Sequence, residues 1–516
     1  MDNFDETQYS SPQNSGKNNR NRKKPIEKYF VPVGLALVCI LLVACIAVAF
    51  SKGAFDQLFN PSAATEPPTT PPTQPPTEGP TDPPVDMNAL AEELISKTDF
   101  LAAGYDYDKA IAMLQSFAYA DQVPAVSAKI SQYQADKAKC SRYTKMNTIT
   151  HIFVHPLIVE PDRAFGSGAN LPGAMNKDMT TVEEFKYLLQ SMYDRGFVLV
   201  TPYQVAYEVK DTNGNAKFVE GDIYLPDGKK PFILSEDDIN YYGKWIADAR
   251  KRPGELEMDG VNNTPVFANK NGDGVASRIV IGADGKPTCE YVDRNGNTLV
   301  GEYDLVPILE AFIQEHPDFA YQGARAVLAV TGFEGVFGYR TKPGYAQNMT
   351  PEAYQKEIDD AKAVVKCLKD NGWIIASHSY GHPSYGNLTA SRIKADDTKF
   401  HNTVETIVGD CDILIYPNGS DIAGIEKYTM DNEKFKVLYE SGFRYFFNVD
   451  GSDYWVQQGE NYYRGGRRNV DGYRMWNNPY MLDDLMDVKK IQYTSNGKLM
   501  EKEVAGAWDS GRPPMK

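Results

Sequence analysis

Three stretches of this chain repeat one unit: an amphipathic helix, a glycine, and an aromatic residue that opens an apolar strand. They are TTVEEFKYLLQSMYDRGFVLV (180–200), TPEAYQKEIDDAKAVVKCLKDNGWIIAS (350–377) and DNEKFKVLYESGFRYFFNV (431–449). Gly196, Gly372 and Gly442 supply the left-handed residue that closes a helix. Thr350 and Pro351 suit an N-cap and first helical position. Helices alternating with buried strands demand a parallel sheet, open or closed into a barrel. In such folds ligands collect at the carboxyl ends of the strands.

Several apolar strands end abruptly in polar clusters. KKPFILSEDD runs from Phe232–Leu234 into Ser235, Glu236, Asp237 and Asp238. Adjacent carboxylates repel and are costly to desolvate. A polar turn would explain them in isolation. A second strand, Trp373–Ala376, runs into His378 and His382, four apart, which one helical turn would place on the same side. One carboxylate and an HxxxH make a set that binds a cation and leaves coordination positions open for water and substrate. A third strand, Ile413–Tyr416, ends in Pro417, Asn418 and Gly419, a tight loop whose backbone N–H can point into a site. Glycosidase chemistry fits poorly, because neighbouring Asp237 and Asp238 would point opposite ways along a strand.

The 516 residues carry a formal net charge of −15, which disfavours nucleic acid as a partner. Residues 1–28 are polar and basic, and residues 29–50, YFVPVGLALVCILLVACIAVAF, carry no charge. That run spans a bilayer and exceeds the core of a signal peptide, so we expect a single-pass anchor. Its basic flank puts the N-terminus in the cytoplasm and the rest outside the cell. Cleavage after AVA is the alternative. Residues 51–86 form a Pro/Thr-rich linker, stiff and extended. In 87–146 the spacing of Leu90, Ala91, Leu94 and Ile95, of Ile111, Leu114 and Phe117, and of Val126, Ile130 and Tyr133 predicts a small helical module. The remainder, 147–516, is one domain, interrupted at about 250–305 by turn-rich segments that predict β-hairpins. Within them NKNGDG lacks the glutamate a calcium loop needs, since Val280 holds that position. The six cysteines show no CxxC pair, and one bridge stays open.

Together the strand-end clusters resemble the polysaccharide deacetylases, carbohydrate esterase family 4, with the NodB homology domain. The resemblance covers residues 147 to about 495. It implies a distorted (β/α) barrel with a hairpin insertion. Ser235–Ile239 stands for the motif Thr-Phe-Asp-Asp-Gly, which makes Asp237 the base and Asp238 a metal ligand. His378-Ser379-Tyr380-Gly381-His382 stands for the second motif, with both histidines as ligands. Ile415-Tyr416-Pro417-Asn418-Gly419 stands for the third, without its arginine or its aromatic residue. Tyr416, Pro417 and Asn418 then border the substrate and oxyanion, and Trp455 in FNVDGSDYW lines the groove. Arg464, Arg467, Arg468 and Arg474 are the available replacements for the missing arginine. The opening THIFVHPLI, followed by TVEEF and a strand, is similar to the permuted subgroup that deacetylates poly-N-acetylglucosamine, which makes His155 the acid.

The resemblance implies one divalent cation, with zinc first and cobalt, nickel or manganese as others. It implies hydrolysis of N-acetyl groups on a surface poly-N-acetylglucosamine or on peptidoglycan. An O-acetyl esterase acting on acetylated xylan, or a weakened relative that only binds carbohydrate, are the alternatives.

Overall fold

The computed structural model describes residues 86–212, 214, 216–248, 271–495, 498–499, 508–513 and 515. The expected cytoplasmic tail, membrane anchor and Pro/Thr linker lie outside them, save Asp86. Among the described residues no helix is long and apolar enough to cross a membrane.

Three helices come first: α1 (Met87–Ala103), α2 (Tyr107–Gln115) and α3 (Pro124–Lys137). They bury Ala91, Leu114, Val126 and Tyr133 in a small core of their own. Tyr105 donates to the Asp318 carbonyl (3.0 Å) and stacks on Tyr321, which docks this module on the main domain.

The main domain opens with β1 (Thr150–Val154), α4 (Val182–Asp194), β2 (Phe197–Leu199) and β3 (Lys230–Glu236). An antiparallel meander follows, β4 (Ala276–Ile281), β5 (Pro287–Val292) and β6 (Thr298–Gly301), where hairpins were expected. Next come α5 (Leu305–Glu315), β7 (Val327–Val330), α6 (Pro351–Asp370) and β8 (Ile374–Ser377). The chain continues through α7 (Ala390–Thr403), β9 (Ile413–Ile415), α8 (Glu433–Ser441) and β10 (Tyr445–Val449). Then β11 (Val456–Gln458), β12 (Tyr463–Asn469) and α9 (Gly472–Asn477) follow, ahead of short turns and two-residue strands up to Trp508–Asp509.

Seven strands close a parallel barrel in the order β3, β7, β8, β9, β10, β12, β1 and back to β3. This is the α/β barrel that the repeated unit implies. Strand β3 pairs with β2 along its first residues and with β7 only at Ser235 and Glu236.

The repeated units carry their expected punctuation. Thr350 caps α6 ahead of Pro351 as expected, and Thr181 and Glu184 add a reciprocal cap on α4 that was not foreseen. Gly196, Gly372 and Gly442 have φ of 79°, 87° and 114°, a backbone that glycine adopts without steric cost.

Side chains alternate along each strand, and this alternation positions the site. Ile233, Ala329, Ala376, Ile413, Ile415, Phe447 and Tyr463 share one core inside the barrel. Ile152, Phe232, Leu234, Leu328 and Ile375 share another with the surrounding helices. The described cysteines, Cys140, Cys289, Cys367 and Cys411, are unpaired, so the bridge left open by the sequence does not form among them.

Candidate active site

Three expected cation ligands meet at the carboxyl ends of β3 and β8. One ligand atom each from Asp238, His378 and His382 lies within 4.8 Å of the others. His382 Nε2 stands 3.7 Å from Asp238 Oδ2. That is long for a hydrogen bond but suits two atoms each about 2.0–2.2 Å from a shared ion. His378 Nδ1 bonds the Ile415 carbonyl of β9 (2.8 Å), which leaves Nε2 as its ligand atom. Tyr242 donates to Asp238 Oδ1 (2.6 Å), leaving Oδ2 towards the histidines. The chemistry of this donor set fits a divalent cation.

The two histidines do not share a helical turn, as their spacing suggested. Residues 378–382 form a loop in which Ser379 (φ 65°) and His382 (φ 57°) are left-handed. Asp396 of α7 clamps that loop by accepting from Tyr380 N–H (2.9 Å) and Gly381 N–H (3.0 Å). Asp238 (φ 57°) and Asn418 (φ 56°) are left-handed as well. Non-glycine residues in this region cost on the order of 1–3 kcal/mol each and gather where function requires the geometry. Four of them surround this site.

Asp237 faces the barrel interior, 3% exposed. Both of its oxygens are held by the Arg467 fork, at 2.7 Å from Nη1 and 2.8 Å from Nη2. Burial alone would raise the carboxyl; the charge and hydrogen bonds of Arg467 overcome it and keep Asp237 ionised well below the usual carboxylate range. Of the four candidate arginines, Arg467 therefore takes the orienting place. Arg464 pairs with Asp421, Arg468 with Asp484, and Arg474 bonds Asn469. Burial pushes His378 down to about 4, so its imidazole is a neutral donor at physiological pH.

His155 follows β1, the neighbour of β3, where Val154 pairs with Glu236. Its Nδ1 bonds the Asp178 carbonyl (2.9 Å), which leaves Nε2 available. Asp237 and Asp238 both feel the charge of His155. Asn418 is exposed in the loop after β9 and donates to Ser384 Oγ (3.2 Å). Pro417 is buried beside it and shapes the turn. Trp455 is half-buried, with the Arg464 guanidinium 4.7 Å from its ring centre.

Tyr416 differs from the expectation. It alternates with Ile415, so its ring enters the outer core beside Phe446, and its hydroxyl meets that of Tyr428 (2.8 Å). Its N–H donates to the Phe447 carbonyl (2.9 Å) and is committed to the barrel. Tyr416 thus builds the wall behind the loop and does not border the substrate.

Glu236 alternates with Asp237 and faces the helix layer, fully buried. Burial, followed by the charge of nearby Asp304, pushes its carboxyl well above the ordinary range, so Glu236 is neutral. Sequence reasoning missed Tyr242 and Asp396. Neither carries a signal of its own: both look like ordinary members of a loop and a solvated helix.

Residues 347–445 match the family model described as polysaccharide deacetylase. The segment holds His378, His382 and the loop after β9, and is well under half of the chain. Among solved structures, the chain is similar to the Streptococcus pyogenes deacetylase PplD in complex with acetate. The identity is 13%, covering 66% of this chain and 98% of that one, with a TM-score of 0.31. It is also similar to a Mycobacterium smegmatis protein assigned as a polysaccharide deacetylase. There the identity is 14% over 28% of this chain and 40% of that one, with a TM-score of 0.18. No curated protein matches the sequence. The family match supports carbohydrate deacetylation, the hydrolysis of amide or ester bonds, as the reaction class.

Proposed function

We propose that this protein is a metal-dependent deacetylase acting on the N-acetyl groups of N-acetylglucosamine units in a surface polysaccharide or peptidoglycan. The observation that carries this reading is the convergence of Asp238, His378 and His382 beside Asp237, an ionised carboxylate held by a two-point arginine fork. A divalent cation bound there, zinc as first choice, supplies Lewis acidity that activates water and polarises the acetyl carbonyl. Asp237 takes the proton from the attacking water, its lone pairs aimed by Arg467. The left-handed loop at Asn418 offers backbone N–H to the oxyanion. His155 Nε2 protonates the departing amine, with Nδ1 held by the Asp178 carbonyl. The opening strand β1 sets this histidine next to β3, which supports the permuted arrangement. We further propose that residues 29–50 anchor the chain so that it works outside the cell, testable by protease shaving of intact cells.

Purified protein should hold about one divalent ion and release acetate from N-acetylglucosamine oligomers. His378→Ala should lose the ion. Asp237→Asn should keep it and lose turnover by roughly 10²–10⁴-fold, the worth of a general base. Asp237→Asn at wild-type activity would refute the assigned roles. Metal binding without acetate release would leave a carbohydrate-binding protein. Release from acetylxylan alone would leave an O-acetyl esterase.

A further inference from the structure

Behind Asp237 the barrel interior buries two polar side chains that the mechanism above does not use. His151 on β1 is 3% exposed and Ser235 on β3 is 0% exposed. Alternation turns both inward, like Asp237 and Arg467. His151 Nε2 lies 3.0 Å from Ser235 Oγ, and its ring meets Phe447 edge-on at 4.5 Å. Arg467 Nη1 donates to Ser235 Oγ at 3.0 Å as well as to Asp237 Oδ1.

The roles follow from counting hydrogens. Nη1 has two: one goes to Asp237 and the other to Ser235. Nε reaches only the Asn448 carbonyl, at 3.4 Å, beyond the usual N–H···O range. The guanidinium also lies 4.1 Å from the centre of the Phe153 ring, a contact that permits sliding within the plane. Ser235 Oγ is therefore a fixed point for the fork besides the carboxylate it orients. To receive Arg467, the hydroxyl must keep a lone pair towards Nη1. Among the described contacts of Ser235 Oγ, His151 Nε2 is the place for its hydrogen. In the Nδ1–H tautomer His151 Nε2 accepts that hydrogen, while the ring packs edge-on against Phe447.

We propose that His151 and Ser235 are positioning residues, which hold the Arg467 fork in register with Asp237 and so aim the base. The inference rests on the reading of Asp237 given above. It adds a chain of four side chains across three neighbouring strands, β1, β3 and β12.

The test compares wild type, Ser235→Ala, Ser235→Thr and His151→Phe, each as the full chain loaded with zinc. Acetate release and the nitrogen-15 spectrum of the arginine side chains are both measured. In wild type, Arg467 should give resolved Nη–H signals. Ser235→Ala should collapse them, keep the bound ion and lower kcat by ~10- to 100-fold, the cost of a small misplacement. Its KM should stay within about twofold if substrate contacts are untouched. Ser235→Thr, which keeps a hydroxyl, should restore both readouts, and His151→Phe should act like Ser235→Ala. Full kcat with resolved signals in Ser235→Ala would overturn the proposal. So would a loss of kcat that threonine fails to restore while the Nη–H signals persist, because that marks mere packing. If wild type releases no acetate but Ser235→Ala still collapses the signals, the functional reading fails and the positioning role stands.

Discussion

Asp238 divides its two oxygens between a phenol and the imidazoles. Burial opposes its charge, His382 and His378 favour it, and the carboxyl stays below its ordinary range. Tyr242 holds Oδ1, and burial pushes the phenol so far up that it remains a donor throughout. Tyr242→Phe should therefore weaken zinc binding by about 10–100-fold, the usual effect of losing such an outer partner, read by calorimetric titration. An unchanged affinity would show that the carboxylate orients itself. Glu236→Gln should leave the melting temperature almost unmoved at neutral pH, because burial and Asp304 already keep that carboxyl uncharged. A large drop would mean that Glu236 is ionised. Individual roles were unevenly legible. Asp237, Asp238, His378 and His382 stood at strand ends and announced themselves. The orienting arginine did not: Arg464 and Arg468 share one face of β12 and Arg467 the other, but the sequence does not say which face turns inward. That depends on pairing with β10 and with β1, the latter more than three hundred residues away in the chain. For Tyr416 the clue was present, since it alternates with Ile413 and Ile415 in phase with Leu414.

At the scale of single elements, helix ends were the most readable feature, because caps act within four residues. Thr350, Gly196 and Gly442 needed no tertiary information. The histidine loop was misleading for a physical reason. A spacing of four suggests a helical turn, whereas left-handed Ser379 and His382 bring the rings to 4.9 Å without one. Their stabilisers, Asp396 and Tyr385, sit in the following segment. Helix α7 also carries His401, whose Nε2 lies 3.2 Å from Asp397 and whose Nδ1 meets Glu405. Bonds to those two carboxylates push the imidazole up to about 10, against about 6.5 in an unfolded chain. The stabilisation is complete below pH ~6.5 and is lost as pH rises through about 10. His401→Gln should therefore lower the melting temperature by a few degrees at pH 6, with the gap to wild type closing by about pH 10. A gap independent of pH would assign the histidine to packing.

For the whole molecule, alternating helices and strands foretold a parallel sheet, and closure had to be seen. Closure depends on β3 meeting β7 through Ser235 and Glu236 alone, a contact between segments about ninety residues apart in sequence. The ladders around the barrel are uneven. Strands β1 and β3 pair from Thr150 to Val154, and β10 and β12 from Tyr445 to Val449. Between β8 and β9 the only register pair is Ser377 with Leu414. Segments with few ladder bonds open more readily than the global unfolding reaction. The bond from His378 Nδ1 to the Ile415 carbonyl crosses this same thin seam. An ion that fixes the His378 ring would thus rivet two strands together. In deuterated buffer, the amides of β8 and β9 should trade their hydrogens fastest in chelated protein and slow markedly once zinc is added. Those of β1, β3, β10 and β12 should change little. Uniform slowing everywhere would mean that the ion stabilises the barrel only as a whole. Slowing confined to the seam would make the cation a clasp for the wall that carries its own ligand.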